Sequence, residues 1–343
     1  MQDEVLILDA DSIAYKAAAA NEAKSVQITH KETKEVWTFD NRTTWRATLT
    51  PEDNEEDYIV EDQQDPRHIT YAQTLVRDMI KGYKSKAKVQ NAEIYISGDG
   101  NFRDEIPLPA AHVAMSGKYA GKSVYGGRYK SNRDDTIRPV QLKALRQWMI
   151  NELGAIPVNG MEVDDMSSIR AYTGAKEKRK VVQVTEDKDA LGCTGWLYNP
   201  AKDTEPRYIS GFGELHRDKK GVKGTGRLWF YYQTLYGDAV DGYHGVDLAK
   251  IIADKQGWSL QFGEVAAYKL LVDCKDDRQA LKAVYDVYKS WYPEPVTYTA
   301  HDGKEYTKDA CDIMQMYVDC AHMRRWEDDR IDCRAMLTKV GVL

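Results

Sequence analysis

At 343 residues, with 42% hydrophobic and 30% charged side chains, the chain can bury the core of one elaborated domain or two closely joined ones, and large-scale disorder is excluded. No apolar run approaches the ~20 residues that span a bilayer, so no membrane partner is expected. The acidic start "MQDEVLILDADS" lacks the basic segment of a secretory leader, which points to the cytoplasm.

A net charge of −6 argues superficially against nucleic acid, but the distribution of charge matters more than its sum. Basic residues gather at 81–88, 118–133, 176–180 and 216–227, two of these stretches being rich in glycine and tyrosine, which admits a phosphate-contacting surface. The cysteines at 193, 274, 311, 320 and 333 are scattered and without CxxC, so reduced, mostly buried thiols are expected.

In chain order, "EVLILDADSIAYKAAAA" reads as a buried strand leading into an alanine-rich helix. Alternation around the "KETKE" turn predicts a hairpin over 24–49, and the acidic stretch 50–66 reads as a mobile loop. A helix is predicted over 68–86, then a strand in "AEIYISGDG", an irregular basic region at 104–134, and a helix with a glycine stop in "RPVQLKALRQWMINELG". "AIPVNG" is a short strand, "MEVDDMSSIRAYTGAKEK" starts a helix with carboxylates in its first turn, and "KVVQVTEDKDALGC" is a buried strand ending in aspartates. After the aromatic helix "RLWFYYQTLY", helices are predicted at 246–256, 263–273, 277–291 and 307–325. Buried strands alternating with helices imply a mainly parallel central sheet flanked by helices.

In an open α/β sheet, ligands gather at the carboxyl ends of the strands. Here those ends carry Asp9 and Asp11, then Asp99, then Glu162, Asp164 and Asp165, then Asp187 and Asp189. One such acid is ordinarily a helix cap or turn residue, a reading that suits Asp11. Acids at successive parallel strand ends converge, and two carboxylates ~4 Å apart repel by about 4 kcal/mol at an effective dielectric near 20. A cation must offset this or some acids must be protonated. Oxygen donors without His or Cys favour Mg²⁺ or Mn²⁺, and paired ions are a common device for phosphodiester hydrolysis. Lys130 and Arg133 are then candidates for holding the phosphate.

Taken in order, "LILDADSIAYKA", "GDGNFRDEI" with "RYKSNRDD", "MEVDDMSS", "VTEDKDAL" and "YGDAVDGYHGV" resemble the motifs of the 5′-nuclease superfamily. That superfamily includes flap endonucleases, the 5′-nuclease domain of bacterial DNA polymerase I and bacteriophage 5′–3′ exonucleases. Gly242 and the "DGYxG" form look most like the podophage branch, and the matches run from residue 5 to about 250. The resemblance implies a PIN-like α/β catalytic core over 1–236 and a helical region over 237–343 with a helix–hairpin–helix-like DNA-binding element.

It further implies one metal site from Asp9, Asp99, Glu162 and Asp164 and another from Asp165, Asp187, Asp189 and Asp241, with Asp238 and Asp11 as supporting acids. The spacing to Phe102 leaves Gly98 or Asp99 opposite the family's second aspartate. Tyr129, Lys130 and Arg133 match residues at the base of the family's helical arch, with Arg128, Gly242 and Gly245 as DNA contacts. The chain departs from the pattern in three places. The second glycine turn of the hairpin is missing, an insertion at 104–128 precedes "YKSNR", and a hairpin with an acidic loop at 24–66 is added.

The expected activity is metal-dependent 5′–3′ exonuclease action on duplex DNA or an RNA/DNA hybrid, extending to primers and flaps, with replication proteins as partners. Flap endonuclease action and a PIN-type ribonuclease are the enzymatic alternatives, and a DNA-junction binding module is the non-enzymatic one. The "RYKSNR" and "GDAVDG" segments speak against a simple PIN ribonuclease, and retention of the full acid set speaks against a module without chemistry.

Overall fold

The computed structural model describes residues 4–116, 120–134 and 136–343. Lys118 and Tyr119 of the expected basic stretch, and Asp135, lie outside the described residues.

The chain runs β1 (Val5–Asp9), α1 (Ala10–Ala20), β2 (Glu22–His30), β3 (Val36–Phe39), α2 (Arg42–Arg46), β4 (Tyr58–Pro66) and α3 (Ile69–Ala87). Then follow β5 (Asn91–Ser97), β6 (His112–Val113), β7 (Val124–Tyr125), α4 (Leu142–Leu153), β8 (Ile156–Val158), α5 (Val163–Lys176) and β9 (Val181–Val184). Four short strands come next, β10 (Gly195–Tyr198), β11 (Arg207–Ile209), β12 (Leu215–Asp218) and β13 (Gly221–Gly224). The remainder is α6 (Gly226–Tyr236), α7 (Asp247–Lys255), α8 (Glu264–Leu271), α9 (Asp277–Trp291), β14 (Val296–Thr299), β15 (Glu305–Lys308), α10 (Ala310–Ala321) and α11 (Cys333–Lys339).

By contacts the chain divides into two compact units, one comprising 1–9, 84–136 and 156–343, the other 10–83 and 137–155. The first holds a six-stranded sheet in the order β11-β10-β9-β1-β5-β8. All its pairings are parallel except β10 with β11. The continuous apolar run "LIL" of β1 follows from its place: Leu6, Ile7 and Leu8 are fully buried between β5 and β9. Helix α5 packs against this sheet.

Residues past 237 share one large core with what precedes them. Leu108, Tyr129, Leu235, Val284, Tyr288, Met314 and Tyr317 belong to a single cluster. That region is not all helix, because β14 and β15 form an antiparallel hairpin.

In the second unit β3, β2 and β4 make an antiparallel sheet, and α1 packs on α4. The expected loop at 50–66 is therefore corrected: its second half is the nine-residue strand β4, paired with β2 along its length. The acids masked a period-two signal. Tyr58 and Val60 turn inward onto Val26, Ile28 and Trp45, while Ile59, Glu61, Gln63 and Asp65 alternate outward, and Asp62, on the inner register, is exposed and pairs with Arg42. Among the described residues, no helix is long and apolar enough to cross a membrane.

Candidate metal centre and phosphate site

The parallel order places the C-terminal ends of β1, β5, β8 and β9 along one edge of the sheet, and the loops leaving those ends carry the acids. Asp9 closes β1. Glu162 is the N-cap of α5, with Asp164 and Asp165 in its first turn. Asp187 and Asp189 follow β9, where Asp189 donates its N–H to Asp187 Oδ1 at 3.0 Å.

The strongest like-charge neighbours of Asp164 are Asp187, Asp9 and Glu162. Burial, reinforced by those acids, pushes Asp164 well above the usual carboxylate range, with Lys130 opposing. Asp189 is likewise pushed well up, by burial first and then by Asp187, Asp241 and Asp238, against a hydrogen bond from Gln233. Asp187 thus stands between two sets of acids. In the second set, Asp189, Asp238 and Asp241 are all buried, and one oxygen of each lies within 4.8 Å of the others.

The turn between α6 and α7 delivers that second set. Asp238 and Tyr243 exchange backbone hydrogen bonds of 2.8 and 3.1 Å, closing a loop with Asp241 at its tip. Gly237 has φ +99°, and a Cβ there would lie 2.3 Å from the Tyr243 carbonyl, so only glycine permits the closure. Gly242, also at positive φ (+70°), presses against Asn132, whose amide donates to the carbonyls of Ala239 at 2.9 Å and Val240 at 3.2 Å. Gly245, expected as a DNA contact, also has a packing reason to be glycine. It is buried, and a Cβ would lie 2.5 Å from both the Leu235 carbonyl and the Tyr288 hydroxyl, so its smallness serves core packing.

Cations from the segment 128–133 face these acids. Lys130 Nζ contacts Glu162 Oε1 at 2.5 Å and Asp241 Oδ1 at 3.6 Å. Burial works against its charge, but Glu162 and Asp241 outweigh it and hold the ammonium above its ordinary range. Lys130 also has φ +58°, a conformation costly for a residue with a side chain, and its N–H donates to the Asp241 carbonyl at 2.8 Å. Arg133 Nη2 reaches Asp241 Oδ1 at 2.7 Å, and the buried Tyr129 hydroxyl donates to Asp241 Oδ2 at 2.7 Å. Charge-assisted bonds of this kind contribute roughly 1.5–3 kcal/mol each. Arg128 stands apart, paired on the surface with Asp134 at 2.8 Å and Asp104 at 3.4 Å.

Four of the expected acids are placed differently. Asp165 is fully buried, and its oxygens accept from Arg103 Nη1 and Nη2 and from the N–H groups of Glu162 and Arg324. Expected as a metal ligand, it spends the roughly four lone-pair sites of its carboxylate on these four donors here. Asp99 is exposed beyond β5, its N–H donating to Asn159 Oδ1 at 2.8 Å, and it is not among the acids acting most strongly on Asp164. Asp11, expected as a supporting acid, pairs from the first turn of α1 with Arg146 of α4 at 2.7 Å, a helix-to-helix contact. Asp238, expected as a supporting acid, is a member of the buried trio and pairs with Lys188 at 2.8 Å.

Sequence reasoning missed Arg103 and Lys188. Each sits inside a quoted motif, "FRDEI" and "EDKD", but a lone cation among acids carries no pattern that assigns it a role. The donor set, all carboxylate oxygens, suits a hard divalent cation.

No protein-family model matches the chain, and no curated protein matches it. Among solved structures it is similar to T5 5′-exonuclease with divalent zinc ions bound, at 12% identity and a TM-score of 0.30, over 71% of this chain and 88% of that one.

Proposed function

We propose that the chain is a divalent-metal-dependent 5′–3′ exonuclease of phage type. Its substrate is duplex DNA or an RNA/DNA hybrid, entered from ends, nicks or gaps, and primers and flaps of replication fall within its reach. The observation that carries this reading is the buried trio Asp189, Asp238 and Asp241, with Lys130 and Arg133 bonded to the same Asp241 carboxylate. Buried acids beside cations are a setting suited to phosphoryl chemistry, and the order of the five motifs in the sequence supports the same reading.

Mg²⁺ or Mn²⁺, as two ions, would be held by Asp9, Glu162, Asp164 and Asp187 on one side and by Asp187, Asp189, Asp238 and Asp241 on the other. Such ions polarise the phosphoryl oxygens and make water a competent nucleophile at neutral pH. The chain's own residues do the rest. Lys130 and Arg133 neutralise charge gathering on the phosphate, and Tyr129 holds Asp241 in place. Lys130 and Arg133 here occupy carboxylate oxygens that an ion would also use, so ion and cation compete for the same acids. Gly242 and the start of α7 then serve as the contact with the duplex backbone.

The test is digestion of 5′-labelled duplex DNA by the purified chain, with labelled single-stranded RNA as comparator. Short 5′ products from the duplex in Mg²⁺ or Mn²⁺, abolished by EDTA, are expected. Cleavage of the RNA alone would assign a PIN-type ribonuclease, and no cleavage of either substrate would leave a binding module.

A further inference from the structure

We infer that Arg103 is a positioning residue for the acidic centre, acting through a buried ion pair with Asp165 that fixes Glu162 and ties it to the C-terminal end of α10. The inference rests on the reading of Glu162 and its neighbours as metal ligands.

Arg103 lies in the one-turn segment after β5 and is fully buried. A buried guanidinium is costly unless all its donors are used. Here Nη1 and Nη2 grip both oxygens of Asp165 at 2.5 and 3.0 Å. The other donors turn to the end of α10: Nε donates to the Cys320 carbonyl at 3.1 Å and Nη2 to the His322 carbonyl at 2.7 Å. Those carbonyls have no partner within the helix, and a cation there also suits the negative end of the helix dipole.

Asp165 passes the constraint on. It is the third residue of α5, and it accepts the N–H of the N-cap Glu162 at 3.2 Å, while the Glu162 side chain accepts the N–H of Asp165. Glu162 is thus held both at its main chain and through its carboxylate, which also faces Lys130, Asn101 and Tyr129. Arg103 Nη1 also stands 3.9 Å from Glu162 Oε2. The Arg324 N–H closes the circuit on Asp165 Oδ1 at 3.2 Å. Three separate stretches of chain, at 103, 162–165 and 320–324, meet in one salt bridge directly behind a candidate ligand.

A purely structural pair could be exchanged for apolar side chains without harm to the site, since such exchanges are often neutral or stabilising in the core. The double variant Arg103→Met/Asp165→Leu separates the two roles. Thermal melting in EDTA reports whether it folds, and Mn²⁺ titration of the metal-free full chain, read by the free-ion electron paramagnetic resonance signal without DNA, reports the site. The expected result is a near wild-type melt with Mn²⁺ affinity lower by roughly 10–100-fold, the range seen when groups that orient ligands are removed. In the digestion assay kcat falls while KM for DNA holds. Arg103→Lys keeps the charge and loses the fork, so its affinity lies between the two, and it serves where the double variant does not fold. Wild-type Mn²⁺ affinity in a folded variant overturns the inference and leaves the proposed function standing. A wild-type chain that takes up no Mn²⁺ overturns the proposed function and this inference together.

Discussion

Two regions of the molecule are rich in acids and use them in opposite ways. Where the strand ends meet the α6–α7 turn, Asp189, Asp238 and Asp241 are buried beside one another, and Asp164 and Asp189 are forced well above the carboxylate range by burial and by their neighbours. Along 52–65, Glu52, Asp53, Glu55, Glu56, Asp57, Glu61, Asp62 and Asp65 crowd a shorter stretch, yet all face solvent. There Asp62 meets Arg42 and Glu55 meets Arg46, and Asp53 is held below the usual range by the Thr50 N–H and hydroxyl and by the Tyr58 hydroxyl. Density of acid in the sequence therefore does not mark a site. Topology does, because parallel strands bring acids from distant positions into one desolvated place, where they store repulsion that a cation can release.

The sharpest way to break this contrast is to remove one charge from the buried set. Asp164→Asn and Asp187→Asn are each expected to lower hydrolysis of duplex DNA by at least ~10³-fold, the loss of several kcal/mol of transition-state stabilisation. Folding should be kept, and the EDTA melt of Asp164→Asn should not fall, because the change removes a repelled group. A variant that digests DNA at the wild-type rate with Mg²⁺ would show that these acids are not ligands.

Next in size is Lys130→Met, expected to lower kcat by about 10²-fold through loss of one charged donor to the phosphate. The same change should tighten Mn²⁺ binding, since Lys130 occupies Glu162 and approaches Asp241 in the metal-free chain. Weaker Mn²⁺ binding in this variant would mean that the lysine assists the ion and does not compete with it.

How much of this was readable beforehand depends on the kind of signal. Strand β1 was plain, because full burial on both faces demands an unbroken apolar run. So were the ends of α4 and α5, one stopped by Gly154 at positive φ and the other opened by a capping box. The convergence of Asp9, Glu162, Asp164, Asp187 and Asp189 followed from strand order alone. Strand β4 was hidden because pairing to β2 decides its conformation while its composition says loop. The salt bridge of Asp165 was hidden for a related reason. Asp165 adjoins Asp164 in sequence, but on a helix neighbouring residues face different ways, and its partner Arg103 lies far away along the chain. Lone cations inside acidic motifs carry no periodicity, so Arg103 and Lys188 needed the structure.

A smaller effect separates the two regions through pH. Asp164 and Asp189 have folded-state values raised above those of the unfolded chain. Their contribution to stability is fully present below the ordinary carboxylate pKa near 4 and is lost as pH rises through the raised values. The EDTA melting temperature should therefore fall from mildly acid to mildly alkaline pH, and millimolar Mg²⁺ should flatten or reverse that slope, because binding displaces protons. An identical slope with and without Mg²⁺ would separate the acids from the ion.

The smallest effect is expected on the exposed acids, and it is the control that gives the others meaning. Arg42 grips Asp62 through Nε at 3.3 Å and Nη2 at 2.8 Å, a fork that looks strong on paper. Both side chains remain open to water, at 50% and 30% exposure, so solvent screens the attraction and ordering two long side chains offsets much of the rest. Asp62→Asn and Glu55→Gln should each shift stability by no more than ~0.5 kcal/mol and leave hydrolysis unchanged. The residual shift should vanish in molar salt, because salt screens exposed charges far more than buried ones. If Asp62→Asn instead cost as much activity as Asp164→Asn, burial would not be what distinguishes the two sets, and the acidic strand would have to belong to the reaction as well.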